Sequence, residues 1–195
     1  AAVSHNEIIS IEMTIADITD TAAGELLLVK TRGSAKGRLI VEAETGFVVR
    51  HHENPRDGKA KREKYALPEF DKKDEVKFLI KTEKGQELKY AEVSNDTNPI
   101  HINSLFAKAA GLPGRIMHGV CVMAMCTNSL IDGVAGKDIL KFHEVSGRFS
   151  YPVIPGDTLT LIGYRTEGNG LHGINFNVYA GNGKTVINKG YFSYN

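Results

Sequence analysis

From Ile9 to Ile15 the chain alternates: Ile9, Ile11, Met13 and Ile15 are apolar, and Ser10, Glu12 and Thr14 between them are polar. That period of about two predicts a strand with one buried face. An apolar run, ELLLVK at 25–30, leads into the turn-rich RGSAKG at 32–37. From Arg38 to Val49, Leu39, Val41 and Ala43 then alternate with Arg38, Ile40, Glu42 and Glu44. The simplest reading is three antiparallel strands in succession. In ENPRDGKAKREK, 53–64, eight of twelve residues are charged and a proline and a glycine interrupt them, so the segment reads as a linker or exposed loop.

A strand follows at Glu75 to Lys81, then a turn at Lys84-Gly85-Gln86. Two helices are expected next. Ser104 to Ala110 is capped by Asn103 and ended by Gly111. Gly119 to Ile131 opens with VCVMAMC, apolar on every side, so this helix must be surrounded by other structure, as by a sheet wrapped round it. Glu144–Tyr151, Thr158–Arg165, Gly173–Ala180 and Thr185–Ser193 read as strands, with turns at Pro155-Gly156-Asp157, Asn169-Gly170 and Asn182-Gly183. Gly24 to Val49 and Gly173 to Tyr194 share a strand, a glycine-containing turn, a strand and a Gly-aromatic pair, which points to a duplication whose first copy is shortened. The expected organisation is partial N-terminal strands at 1–52, a charged linker at 53–71 and a complete domain at 72–195.

Composition narrows the function classes. The 195 residues are 42% hydrophobic and 24% charged, as in ordinary globular proteins. With 24 Lys+Arg against 23 Asp+Glu the formal charge is +1, too balanced for a chain that coats nucleic acid or an acidic membrane. The longest apolar run, Val120 to Cys126, is far short of the roughly 20 residues of a membrane-spanning helix. The opening AAVSHNEIIS lacks a basic flank followed by an apolar core, so a cytoplasmic protein is expected. Cys121 and Cys126 fit neither a Cys-x-x-Cys pair nor a zinc knuckle and read as buried thiols.

Candidate chemistry is concentrated in two places. Asp96, Asn98 and His101 lie within six residues, in a segment where Pro99 biases Asn98 away from helical geometry. A carboxylate and an imidazole sharing a water are suited to adding that water to a double bond or removing it. The plainer reading makes Asp96 and Asn98 turn formers and His101 a surface residue. Further on, His118-Gly119 opens the apolar helix, whose first N–H groups are unpaired and suit an enolate oxygen, with glycine admitting a close ligand. Relief of crowding at a helix start explains the glycine equally well.

The run YAEVSNDTNPIH from Tyr90 to His101, Ala107 beyond it, and GLPGRIMHG from Gly111 to Gly119 closely resemble the hydratase 2 motif of the MaoC-like family of (R)-specific enoyl-CoA hydratases and dehydratases. FSYPVIPGD, Phe149 to Asp157, looks like that family's turn into its next strand. The resemblance implies an α+β hot dog fold, an antiparallel sheet wrapped round one helix, here as a double hot dog with an abbreviated N-terminal half. It places the catalytic pair on Asp96 and His101, the asparagine that arranges them on Asn98 and the oxyanion glycine on Gly119. Asn95 stands where the family usually has glycine, and asparagine also tolerates left-handed geometry. The implied activity is reversible hydration of a trans-2-enoyl-CoA to the (R)-3-hydroxyacyl thioester, with no metal and no redox cofactor. His118 and Arg115 are taken as substrate-binding, and Lys108 and Arg148 are further candidates for coenzyme A phosphates. A metal site built from His51, His52, His143 and His172 has no zinc-like spacing.

Alternative readings are dehydration of 3-hydroxyacyl groups on acyl carrier protein, thioester hydrolysis, and a non-catalytic thioester-binding or assembly subunit. Because the N-terminal strands carry an apolar face and no helix, a second polypeptide or a second copy of the chain is expected to complete that half.

Overall fold

An extra residue in the first strand decides which side chains share a face. The computed structural model describes residues 3–4, 6–21, 24–49, 74–168 and 170–195. The expected linker at 53–71, the His51-His52 pair and Asn169 lie outside the described residues. The chain divides into two compact units, Ala1–Lys64 and Tyr65–Asn195.

In the first unit β1 (Ser10–Thr21), β2 (Gly24–Ala35) and β3 (Arg38–Val49) form an antiparallel sheet in the order β1-β2-β3. Ile15 lies opposite Val29 and Asp17 opposite Leu28, so Ala16 is bulged out. Strict alternation would put Asp17 beside Ile15; the bulge puts Ile18 there instead, opposite Leu27. One face therefore carries Ile11, Met13, Ile15, Ile18, Val41 and Phe47. The other carries the exposed pairs Lys30–Glu44 at 3.8 Å and Arg32–Glu42 at 3.5 Å, which contribute little stability in water. The broad turn expected at 32–37 is narrower: β2 runs on to Ala35, and only Lys36 and Gly37, with φ of 50° and 74°, turn the chain. A Cβ on Gly33 would lie 2.8 Å from Val41 Cγ1 and 3.3 Å from Ile11 Cδ1, so glycine lets the neighbouring strands' side chains close over β2 there. The apolar face is open, with Met13 67% exposed and Ile15 61% exposed, and no helix occurs among the described residues of this unit.

The second unit is an antiparallel sheet in the order β4-β6-β7-β8-β5, built from β4 (Glu75–Lys81), β5 (Phe142–Phe149), β6 (Thr158–Gly168), β7 (Leu171–Tyr179) and β8 (Thr185–Tyr194). Helix α4 (Gly119–Val134) touches both edge strands, so the sheet curls round it. Cys121, Val122, Cys126, Leu130 and Ile131 of α4 pack with Leu159, Leu161, Phe176, Ile187 and Phe192, each large side chain contributing about 1.5–3 kcal/mol by burial. This is the hot dog arrangement. Burial pushes the Cys126 thiol up to about 12, so it is an inert core group. The helix is not covered on every side, however. Val120, Ala124, Asn128 and Asp132 recur every four residues along an exposed stripe, and Val120 is 67% exposed.

Among the described residues three further α-helices precede α4: α1 (Gln86–Ser94), the single turn α2 (Pro99–Ile102) and α3 (Ser104–Ala109). The sequence reading missed α1, because only Glu87 and Ala91 of its nine residues are buried and its apolar stripe is faint. Gly85, taken as the middle of a turn, is its left-handed N-cap with φ 83°. Strand β5 starts two residues earlier than expected, because Phe142 stacks on Phe192 with ring centroids 5.7 Å apart. No helix among the described residues is long and apolar enough to cross a membrane.

Candidate active site

Every group of the site hangs on a short chain of local bonds. Helix α1 ends at Asn95, whose φ of 58° and ψ of 19° are the left-handed geometry expected where the family usually has glycine. The Asp96 N–H donates to Ser94 Oγ at 3.2 Å, and the Asn98 N–H donates to Asp96 Oδ1 at 3.2 Å. Asn98 Oδ1 in turn accepts the Ile100 N–H at 3.3 Å, capping α2, with Pro99 at the first helical position. These side-chain bonds fix the path that carries His101 inward while Asp96 stays exposed.

The chain returns past His101 at Ile116. Ile116 N–H donates to the Ile100 carbonyl at 3.3 Å, and His101 Nδ1–H donates to the Ile116 carbonyl at 2.8 Å. Only a protonated nitrogen bonds to a carbonyl, so the neutral His101 ring keeps its lone pair on Nε2, the form a general base needs. Burial holds the His101 imidazole below its usual range. The bond to Ile116 and the Asp96 charge pull upward, and His118 adds to the lowering. A carboxylate oxygen of Asp96 and a ring nitrogen from each of His101 and His118 all lie within 4.8 Å of one another.

A cavity of about 380 Å³ opens beside this cluster, lined by His101, Gly119 and apolar side chains including Ile116, Val122, Phe149 and Val153. Gly119 is the first residue of α4. Val122 is the first whose N–H closes on a carbonyl of the preceding turn, His118 O at 3.1 Å, so the Gly119 N–H precedes the helical ladder. His101 and the first residue of α4 thus share an apolar cavity, with the Asp96 carboxylate close to the imidazole, an arrangement suited to adding water to a conjugated thioester.

Two expected site residues stand differently. His118 is only 2% exposed, stacks on His101 with centroids 3.8 Å apart and planes at 25°, and donates Nε2–H to the Asp96 carbonyl at 3.0 Å. It faces His101 and the Asp96 backbone and is not among the residues that line the cavity, where a substrate contact is expected from the sequence. Arg115 Nε donates to Glu87 Oε1 at 3.0 Å, and Glu87 is 1% exposed, so its charge serves a buried carboxylate. The sequence reading overlooked Glu87 and Tyr90, whose ring lies 4.8 Å from His118; their spacing with Ala91 and Ser94 marks one face of α1. Lys108 and Arg148 do not line the cavity.

Asp96, His101 and His118 are close enough together to suggest a metal site, but the stacking argues against one. A metal lies near the plane of each imidazole that binds it, about 2 Å from the nitrogen, whereas these two rings lie face to face with centroids 3.8 Å apart and planes at 25°.

Residues 68–186 match the model of the MaoC like domain. The chain belongs to the MaoC-like dehydratase family. Among its relatives, 3-hydroxyacyl-thioester dehydratase Y of Mycobacterium tuberculosis is 33% identical over 165 residues, covering 82% of this chain and 56% of that protein. The peroxisomal enoyl-CoA hydratase 2 of Arabidopsis thaliana is 39% identical over 79 residues, 40% of this chain and 25% of that protein. The full-length peroxisomal multifunctional enzyme type 2 of Drosophila melanogaster superposes with a TM-score of 0.76 at 26% identity, covering 96% of this chain and 34% of that one. This MaoC-like chain therefore spans about half the length of the first of these relatives and less of the other two.

Proposed function

We propose that this MaoC-like protein is a hydro-lyase that reversibly hydrates trans-2-enoyl-CoA to (R)-3-hydroxyacyl-CoA. The observation that carries the reading is the His101 ring, fixed through Nδ1 with Nε2 unshared, at a cavity it shares with Gly119 and beside the Asp96 carboxylate. In the hydration direction a water lies between Asp96 and His101. His101 Nε2 takes one of its protons while the oxygen bonds to the β-carbon. The π electrons shift toward the thioester oxygen, which accepts a hydrogen bond from the Gly119 N–H. The proton held by His101 then passes to the α-carbon, restoring the thioester and the free imidazole. Asp96 orients the water throughout, and no metal or redox cofactor takes part. A backbone donor aimed at the developing oxyanion contributes about 2.7–4 kcal/mol.

The name of the Mycobacterium tuberculosis relative favours a second reading at the same site, the reverse dehydration of a 3-hydroxyacyl thioester, with acyl carrier protein as an alternative carrier. The cytoplasm is the proposed setting. A second polypeptide or a second copy is proposed to cover the apolar face of the three-stranded unit, where Ile11, Met13 and Ile15 lie open. Crotonyl-CoA and a longer enoyl-CoA should lose enoyl absorbance with the purified protein, give the (R) product on chiral analysis, and react equally after chelator treatment. No turnover of either enoyl-CoA or a 3-hydroxyacyl thioester by the folded protein overturns the reading, and loss of activity on chelation overturns its metal-free form.

A further inference from the structure

His118 touches the His101 ring and the backbone of Asp96 without lining the cavity. Its Nε2–H holds the carbonyl of Asp96 itself at 3.0 Å, and its ring lies against His101 at 3.8 Å. On its other side is the Tyr90 ring of α1, at 4.8 Å. The next residue after His118 is Gly119, so one side chain and its own backbone link the Asp96 main chain, the His101 imidazole and the helix terminus. The bond to a carbonyl fixes the proton on Nε2, and the remaining nitrogen, Nδ1, is buried with no hydrogen-bond partner among the described residues.

We propose that His118 is the positioning residue of this site, a buried imidazole that aligns the Asp96 backbone through one hydrogen bond and the His101 ring plane through stacking. This rests on the reading of Asp96 and His101 as the catalytic pair. Misplacing a catalytic group by about 1 Å costs on the order of 10² in rate, so the effect of His118 falls on kcat and leaves KM nearly unchanged.

The two contacts separate by substitution. His118→Gln keeps an N–H near the position of Nε2 and loses the ring; His118→Phe keeps a stacking ring and loses the donor. With crotonyl-CoA, His118→Phe should lower kcat about 10²-fold and His118→Gln about 10-fold, with KM within about threefold in both, compared at temperatures where circular dichroism shows each variant folded. Unchanged kcat in both folded variants, or a loss confined to melting temperature, overturns the proposal. Should either variant fail to fold, long-range 1H–15N correlation of the wild-type imidazoles decides: protons on Nε2 of His118 and Nδ1 of His101 support it, and the opposite tautomer of His118 overturns it. Asp96→Asn is assayed in parallel. If that variant keeps full turnover, the catalytic pair itself is wrong and the positioning role falls with it. If only the His118 variants keep turnover, the pair stands and the positioning role alone is lost.

Discussion

Replacing Gly119 by alanine separates the packing role of this residue from its chemical one. A Cβ there would sit 3.3 Å from Cε1 and Cζ of Phe149, tighter than ordinary contact by a few tenths of an ångström. Phe149 ends an edge strand and is 49% exposed, so its ring has room to yield. Alanine is also the better helix former, by up to about 1 kcal/mol in a helix interior and less at the first position. These effects oppose each other, and the net stability change should stay within about 1 kcal/mol, a shift of a few degrees in melting temperature. Catalysis has no such compensation. The methyl group shares the cavity wall with the N–H, so it displaces a thioester oxygen that needs hydrogen-bond distance from that nitrogen. Losing most of a donor contribution of about 2.7 kcal/mol lowers kcat/KM about 10²-fold. Thermal denaturation and initial rates on the same preparation test both parts. Wild-type kcat/KM in the alanine variant would show that no substrate oxygen approaches this nitrogen, and a melting temperature lower by more than about 10 °C would show that Phe149 does not yield.

Other substitutions and conditions give equally definite outcomes. Asn98→Ala removes the α2 cap and should cost about 0.5–2 kcal/mol in a denaturant titration while turnover falls less than about tenfold; a loss as large as that of Asp96→Asn would make Asn98 a catalytic group. Arg115→Ala strands the buried Glu87 carboxylate and should destabilise by about 1–3 kcal/mol with KM for a coenzyme A thioester within about twofold; a raised KM at unchanged stability would restore the substrate contact. Because burial lowers the His101 value below 6.5, its free base persists to lower pH than in an ordinary histidine, and kcat/KM should fall only on the acid side of 6.5. The same sign governs stability: the unfolded chain binds the proton more readily, so this contribution is present above the unfolded value and lost as pH falls through the folded one. An acid limb centred above 6.5 would contradict the assignment of His101 as base.

The strands and α4 were legible from the pattern of their apolar residues, which marks β1 even though its apolar face is open. Ile9 to Ile15 and the apolar run in α4 announce themselves without tertiary knowledge. What the sequence does not announce is set by partners distant in the chain. The Ala16 bulge shows only in the register against β2, since alternation alone would leave Asp17 beside Ile15. Helix α1 hides because two buried residues in nine make a faint stripe. Asp96, Asn98 and His101 stand out by their types and spacing, and Gly119 by its place at a helix start. For His118 and Arg115 the sequence suggests a substrate, and the structure shows His101 and Glu87 as neighbours. Whether a histidine meets a substrate or a second histidine, and whether an arginine meets a phosphate or Glu87, depends on contacts 17 to 28 residues away in sequence.

The most direct measurement is the turnover of trans-2-enoyl-CoA by Asp96→Asn and His101→Ala beside the wild type, with circular dichroism showing all three folded. The wild type should hydrate the substrate, and each variant should lose about 10²- to 10⁴-fold in kcat, the range for a positioned acid or base. Near-wild-type turnover in either folded variant would contradict the account of this pair as the reacting centre.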